Sequence, residues 1–110
     1  MLTLLLYAAL LTGTPPAEAL LNLESRAANQ LALSLCFRGA GQRIRFELTL
    51  DSAGVAGRSR TRQSGQVTTS EAVSCPLHNR LGLMADARVE ARLRWWLDGE
   101  EQLPIQRFYP

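Results

Sequence analysis

Apolar and polar side chains alternate along three stretches of the chain, and this period of two constrains the fold more than any other feature. The stretches cover residues 31–38, 43–50 and 88–97. Successive side chains of a β-strand point to opposite faces of its sheet, so each stretch predicts a strand with one buried face. Weaker stretches of strand character lie at residues 20–26, 57–63, 66–73, 80–83 and 102–108. No segment after Leu20 keeps a helical period over the length of an ordinary helix.

Turn-forming residues separate the predicted strands. The breaks are expected at residues 39–41, 51–54, 64–65 and 98–99. The last of them is Asp98-Gly99, a pair that favours two-residue hairpin turns. Seven or eight short strands in a segment of this length predict an all-β fold, an immunoglobulin-like antiparallel β-sandwich.

The N-terminal residues are typical of a secretory signal peptide. An apolar run at residues 2–11 is followed by a proline pair and then by the small-x-small triplet Ala17-Glu18-Ala19. We expect cleavage after Ala19, which divides the chain into a signal peptide at residues 1–19 and one exported domain at residues 20–110. The run is shorter than the roughly 20 apolar residues of a spanning helix, so no stable membrane span is expected. No Lys or Arg precedes the run, so a buried first element or a loose anchor remains the alternative.

The chain has two cysteines, Cys36 and Cys75. An even pair in an exported chain suggests a disulfide, and two unpaired thiols are the alternative. Alternation places Cys36 on the outward side of its predicted strand. A bridge would therefore tie down the loop after Val73 from outside the sandwich and would not join two sheets through the core.

Three arginines, Arg58, Arg60 and Arg62, share one face of an extended segment. The opposite face carries small polar groups, a pattern that fits an edge strand better than a central one. Such charges discourage unwanted strand pairing, or they form an electropositive strip that attracts an acidic or unfolded chain. The net charge of the whole chain is only +2, so nucleic acid is not an expected partner.

Trp96 is predicted to lie on the outward face of its strand. It is either a contact residue for a partner or a side chain that covers a neighbouring strand, beside Phe108 or an arginine stem. The single histidine, His78, is expected in a loop without a role, and no spacing resembles a metal site. We therefore expect no catalytic residues, no metal and no cofactor.

Five segments spread over most of the chain carry a resemblance to a known family. They are Met1-Leu2-Thr3-Leu4-Leu5-Leu6, Gly57-Arg58-Ser59-Arg60-Thr61-Arg62-Gln63, Asp86-Ala87-Arg88-Val89, Asp98-Gly99 and Phe108-Tyr109-Pro110. The sequence resembles the curli assembly protein CsgC family, periplasmic inhibitors of curli amyloid formation. The resemblance implies an immunoglobulin-like sandwich in the periplasm whose partners are secreted curli subunits. Some relatives carry Cys-x-Cys where this chain has Gly41-Gln42-Arg43, so a redox role tied to that motif does not carry over.

The leading hypothesis is a monomeric, chaperone-like protein that binds unfolded or strand-prone amyloid subunits and inhibits their premature fibrillation. Its expected partner-binding residues are Arg58, Arg60, Arg62 and Trp96. One alternative is a periplasmic thiol oxidoreductase that uses the two cysteines. Another is a structural adhesion or pilus-type module.

Overall fold

The computed structural model describes residues 17–27, 29–83 and 86–110, which form eight β-strands. The strands are β1 (Glu18–Ala27), β2 (Gln30–Arg38), β3 (Arg43–Gly54), β4 (Gly57–Thr68), β5 (Ser74–Gly82), β6 (Arg88–Leu97), β7 (Glu100–Glu101) and β8 (Ile105–Tyr109). The described part of the chain contains no helix, and so none that is long and apolar enough to cross a membrane. The all-β prediction is confirmed.

The strands form two antiparallel sheets that face each other. The smaller sheet has the order β1-β2-β5, and the larger has the order β4-β3-β6, with β7 and β8 both paired to β6. Strand β3 is the centre of the larger sheet, because it pairs with β4 over its whole length and with β6 from residue 44 to 53. The predicted immunoglobulin-like sandwich is confirmed.

The core lies between the sheets and is built from the inward residues of the alternating stretches. Its buried members are Leu21, Leu33, Leu35, Phe37, Ile44, Phe46, Leu48, Ala91, Leu93 and Trp95. Phe37 of the smaller sheet contacts two aromatic rings of the larger one, with centroid distances of 5.7 Å to Phe46 and 6.2 Å to Trp95. Burial of a Leu, Ile or Phe side chain contributes about 1.5–3 kcal/mol, so the burial of these alternating apolar residues holds the two sheets together.

Two of the predicted breaks are wrong. Residues 51–54 lie within β3 and residues 64–65 lie within β4, so these strands form one long hairpin whose turn is at Val55 and Ala56. Gly65 has no room for a side chain, because a Cβ atom there would lie 2.9 Å from Cζ of Phe46. The glycine therefore makes room for a core ring and does not end the strand.

The predicted turn at Asp98-Gly99 is confirmed. Both residues have positive φ angles, 48° and 88°, and Leu97 pairs with Glu100 on either side of the turn. Two hydrogen bonds fasten the turn to β3: the Arg43 amide donates to Oδ1 of Asp98 at 2.9 Å, and the Asp98 amide donates to the Arg43 carbonyl at 2.8 Å.

Cys36 and Cys75 form a disulfide, as predicted. The bridge joins β2 to β5, two neighbours in one sheet, at a shift in register between Leu35 and Phe37. It therefore lies on the outer side of the smaller sheet and not in the core between the sheets. Cys75 and His78 belong to β5, so the expectation that they lie in loops is wrong.

The predicted boundary between signal peptide and domain falls inside β1. Residues 1–16 lie outside the described part of the chain, whereas β1 begins at Glu18. Glu18 accepts a hydrogen bond from Nη2 of Arg38 at 2.6 Å, and Ala19 pairs with Phe37. The signal peptide and its cleavage point stay predictions.

Candidate partner-binding surface

The outward face of the larger sheet carries most of the arginines of the chain. Eight of the twelve arginines project from this face: Arg43, Arg45, Arg58, Arg60, Arg62, Arg88, Arg92 and Arg94. Its strands carry four carboxylates on the same side: Glu47, Asp51, Glu90 and Glu101. The face therefore has an excess of four positive charges, although the whole chain has a net charge of only +2.

Strand β4 presents three of these arginines at the edge of the sheet. Among the described strands it pairs only with β3 and has no partner on its other side, and every residue from 57 to 62 is exposed. The prediction of an edge strand is confirmed. An edge of this kind offers unpaired backbone groups to another extended chain.

Arg60 is held by a carboxylate of the neighbouring strand. Its Nε donates to Oδ1 of Asp51 at 2.6 Å, and its Nη2 lies 3.4 Å from Oδ2. This side-chain hydrogen bond holds the pKa of Asp51 below its ordinary value and raises the pKa of Arg60. Arg60 is thus engaged within the sheet, whereas Arg58 and Arg62 form no ion pair with any residue that the structure describes.

Trp96 lies on the same face but toward its other end. The guanidinium carbon of Arg45 lies 3.7 Å from the ring centroid and that of Arg94 lies 5.0 Å away, so the half-buried indole is covered by cations. Arg62 and Arg92 lie in one row across the sheet, because both pair with Thr49 of β3. Trp96 is four residues further along β6 than Arg92. At about 3.3 Å per residue this separates the rows by roughly 13 Å. The structure does not bring Trp96 to the three arginines, and its contacts match the prediction of an arginine stem beside it.

A groove of about 960 Å³ opens on this face near the tip of the β3–β4 hairpin. Among the residues that line it are Arg58, Arg60, Arg88 and Phe108. The alternation along residues 88–97 predicts an outward side chain for Arg88, but it does not predict that Arg88 shares a site with the arginines of β4. The residue faces Arg58 only because β3 lies between β6 and β4, and strand order has no signal in a single sequence.

The other predicted features stay apart from this surface. The disulfide lies on the opposite sheet, with Cys36 only 9% exposed and Cys75 at the surface. His78 is exposed on β5, where it pairs with Ser34. Across residues 17–27, 29–83 and 86–110, no cluster of three or more His, Cys, Asp or Glu side chains could hold a metal ion.

The protein is a small immunoglobulin-like sandwich with sheets of three and five strands and a charged edge strand. It has a disulfide within the smaller sheet and a basic outer face on the larger one. Solved structures share this fold, and two of them are as follows. The solution structure of R. palustris CsgH matches with a TM-score of 0.58 and 21% identity, over 84% of this chain and 90% of CsgH. The E. coli curli protein CsgC matches with a TM-score of 0.64 and 16% identity, over 86% of this chain and 99% of CsgC.

No family model matches the sequence, and no curated protein is similar to it in sequence. The similarity is therefore one of fold, and at that level the resemblance to the CsgC family is confirmed.

Proposed function

We propose that this protein is a non-enzymatic accessory protein of curli assembly, which binds strand-prone curli subunits in the periplasm and delays their fibrillation. The observation that carries the proposal is the exposed edge strand β4, whose Arg58 and Arg62 form no ion pair with any residue that the structure describes. Support comes from the fold shared with a curli protein of E. coli. The disulfide fits the proposal, because such bonds persist in oxidising compartments outside the cytoplasm.

The charged face supplies the first step of such a mechanism. Its excess of arginines attracts acidic segments of an unfolded subunit and raises the rate of encounter. The individual pairs are exposed and weak, each worth about 0.2–1 kcal/mol, so the complex forms and dissociates readily. Transient binding suits a protein whose client must remain free for secretion.

The edge of β4 supplies the second step. An extended segment that pairs with β4 forms its backbone hydrogen bonds with that strand, so it does not form them with the end of a growing fibre. The small polar side chains of Ser59 and Thr61, opposite the arginines, give such a complex little apolar surface on which a second sheet would stack.

Fibrillation kinetics test this function. Purified curli subunit is incubated with the protein, and fibres are followed by the fluorescence of an amyloid dye. We expect the parent protein to lengthen the lag phase, and the double variant Arg58→Ser/Arg62→Ser to lengthen it much less. Arg80→Ser is the matched control, because Arg80 is exposed on β5 of the other sheet and forms no ion pair with a described residue.

Circular dichroism and thermal unfolding establish that each variant keeps the fold. A parent protein that leaves the lag phase unchanged contradicts the proposed function. A double variant as effective as the parent shows instead that the function does not use these two arginines.

A further inference from the structure

The disulfide joins two strands of the smaller sheet, and its two cysteines differ in how far they are open to solvent. Cys36 belongs to the central strand β2 and is only 9% exposed. Cys75 is exposed and belongs to β5, which pairs with β2 alone among the described strands. The bridge therefore has one covered cysteine in the middle of the sheet and one open cysteine at its edge.

Leu20 covers the side of Cys36 that faces away from Cys75. Leu20 of β1 is directly opposite Cys36 of β2, and it projects outward because its neighbour Leu21 is buried in the core. Residues opposite each other on antiparallel strands have Cβ atoms about 4.5–5.5 Å apart. An outward row thus crosses the smaller sheet in the order Leu20, Cys36, Cys75 and ends at the open edge of β5.

This order decides from which side a thiolate reaches the bridge. A thiolate attacks one sulfur of a disulfide from the side opposite the sulfur that leaves, along the line of the S–S bond. Attack on Cys36 requires an approach from β1, where Leu20 lies. Attack on Cys75 requires an approach from the side of β5 that has no partner among the described strands. Access therefore favours exchange at Cys75.

The chain around Cys75 is uncharged and partly apolar. Residues 72–79 contain no Asp, Glu, Lys or Arg. Val73 is 50% exposed, Pro76 is exposed, and Leu20 at the other end of the row is 39% exposed. Exposed apolar side chains grouped around one chemical site are typical of contact with another protein. The reductant that fits these surroundings is therefore a protein dithiol and not a small charged thiol.

The bridge fastens only the irregular end of β5. Pairing between β2 and β5 is continuous where residues 30–35 meet residues 77–82, and the register shifts before the pair of Phe37 and Ser74. The regular part of the ladder does not depend on the bridge. Opening the bridge therefore releases the start of β5 and the loop before it, while residues 77–82 stay in the sheet.

We propose that this bridge is a modification site, at which a thiolate of a dithiol oxidoreductase attacks Sγ of Cys75 while Leu20 protects Cys36 from the same attack. A bond forms between the attacking sulfur and Sγ of Cys75, and Cys36 leaves with the electron pair of the S–S bond and is protonated. The second thiol of the oxidoreductase then displaces Cys75 as a thiol. The bridge gains two electrons and two protons, and the dithiol is oxidised to a disulfide.

Trapping of the mixed disulfide tests the site. The folded full chain is incubated with a Cys-x-x-Cys oxidoreductase whose second cysteine is replaced by Ser, so that the displacement step cannot occur. N-ethylmaleimide then blocks free thiols, and mass spectrometry locates the adduct, since Cys36 and Cys75 fall in separate tryptic peptides. We expect adducts on Cys75 in several-fold excess over Cys36. The excess should vanish in urea, where both sulfurs are open.

A variant of β1 tests the protection of Cys36. Leu20→Ala should raise the share of adducts on Cys36 several-fold, because the side chain that blocks the approach is shortened. Asn22→Ala is the matched control on the same face of β1, opposite Ser34, and should leave the distribution unchanged. Equal trapping on the two cysteines, trapping only in urea, or a Leu20→Ala distribution like that of the parent would overturn the proposal.

Glutathione in place of the oxidoreductase distinguishes a protein dithiol from a small thiol. At equal thiolate concentration the oxidoreductase should react several-fold faster, and equal rates would show that the apolar surroundings recruit no protein. Amide chemical shifts of the fully reduced chain should change at residues 70–76 and stay nearly constant along residues 77–82. Changes spread along the whole of β5 would contradict a local opening.

Discussion

At the scale of the residue, the three arginines of β4 differ in whether a carboxylate of the neighbouring strand binds them. Arg58, Arg60 and Arg62 alternate along β4, yet only Arg60 faces a carboxylate across the strand pair. The cross-strand neighbours of the other two are Ala53 and Thr49, which offer no charge. The residues of β3 therefore determine which arginines of β4 can bind a partner, and the repeating sequence of β4 does not.

The pair of Arg60 and Asp51 predicts a pH dependence. Arg60→Ser should raise the pKa of the Asp51 carboxyl toward its ordinary value of 3.8, because the hydrogen bond that lowers this pKa is removed. The native pKa is the lower one, so the pair stabilises the fold above the ordinary Asp pKa. That contribution is lost as the pH falls through the native pKa.

Carboxyl chemical shifts recorded against pH give the Asp51 pKa in each protein. The difference in free energy of unfolding between the parent and Arg60→Ser should disappear as the pH falls below the native Asp51 pKa. Arg38→Ser is the control, since Arg38 pairs with Glu18 on the other sheet. Equal Asp51 titrations in the parent and in Arg60→Ser would show that the hydrogen bond is not formed in solution.

Gly65 predicts a steric effect. Gly65→Ala places a Cβ 2.9 Å from the Phe46 ring, so the ring must move, and overpacking of this kind costs about 1–3 kcal/mol. Gly82→Ala is the matched control in β5, because no atom lies within 4 Å of a Cβ built there. Urea unfolding measures both free energies, and a Gly65→Ala variant as stable as Gly82→Ala would contradict the contact.

At the scale of the element, sequence pattern located the strands but misplaced two of the turns. Alternation identified the inward faces of β2, β3 and β6, because burial of one face requires it. Residues 51–54 and 64–65 have the composition of turns, yet pairing along the whole of β3 holds them in strands, so tertiary contacts override local preference.

The candidate site was predicted only in part, for a related reason. The arginines of β4 stand out as a run, and their edge position follows from a face without apolar residues. Arg88 and Phe108 join them through strand order alone, which depends on how the sheets assemble and leaves no local pattern.

The disulfide between β2 and β5 is expected to contribute strongly to the free energy of unfolding. Its cysteines are 39 residues apart, and closing a loop of that length is worth about 4 kcal/mol in the chain-entropy model. Cys36→Ala/Cys75→Ala should lower the free energy of unfolding by up to that amount, as measured in urea. Reduction of the parent with a thiol should lower it by a similar amount, and an unchanged midpoint in either case would contradict the prediction.

At the scale of the whole molecule, charge is distributed unevenly between the two outer surfaces. The basic face of the larger sheet has an excess of four positive charges while the chain totals +2, so the remainder of the molecule is net negative. Such a molecule presents a preferred face to an acidic chain, which a modest net charge alone does not reveal.

This asymmetry predicts a salt dependence. Under the proposed function, the delay of curli fibrillation should weaken as NaCl rises from about 0.1 M to about 1 M, because the Debye length falls from roughly 10 Å to 3 Å. Arg58→Ser/Arg62→Ser should show a shallower dependence than the parent, and Arg80→Ser should follow the parent. Lag times measured across the salt series test this, and a delay that does not change with salt would contradict it.

The disulfide also closes a covalent ring that contains the whole β3–β4 hairpin. The tip of that hairpin is exposed, with Val55 at 76%, and exposed tips are where proteases cut. A cut between Val55 and Ala56 leaves one fragment with Cys36 and the other with Cys75, so the two halves remain a single molecule. Strand β4 would thus stay attached to the sandwich after proteolysis at the exposed tip of its hairpin.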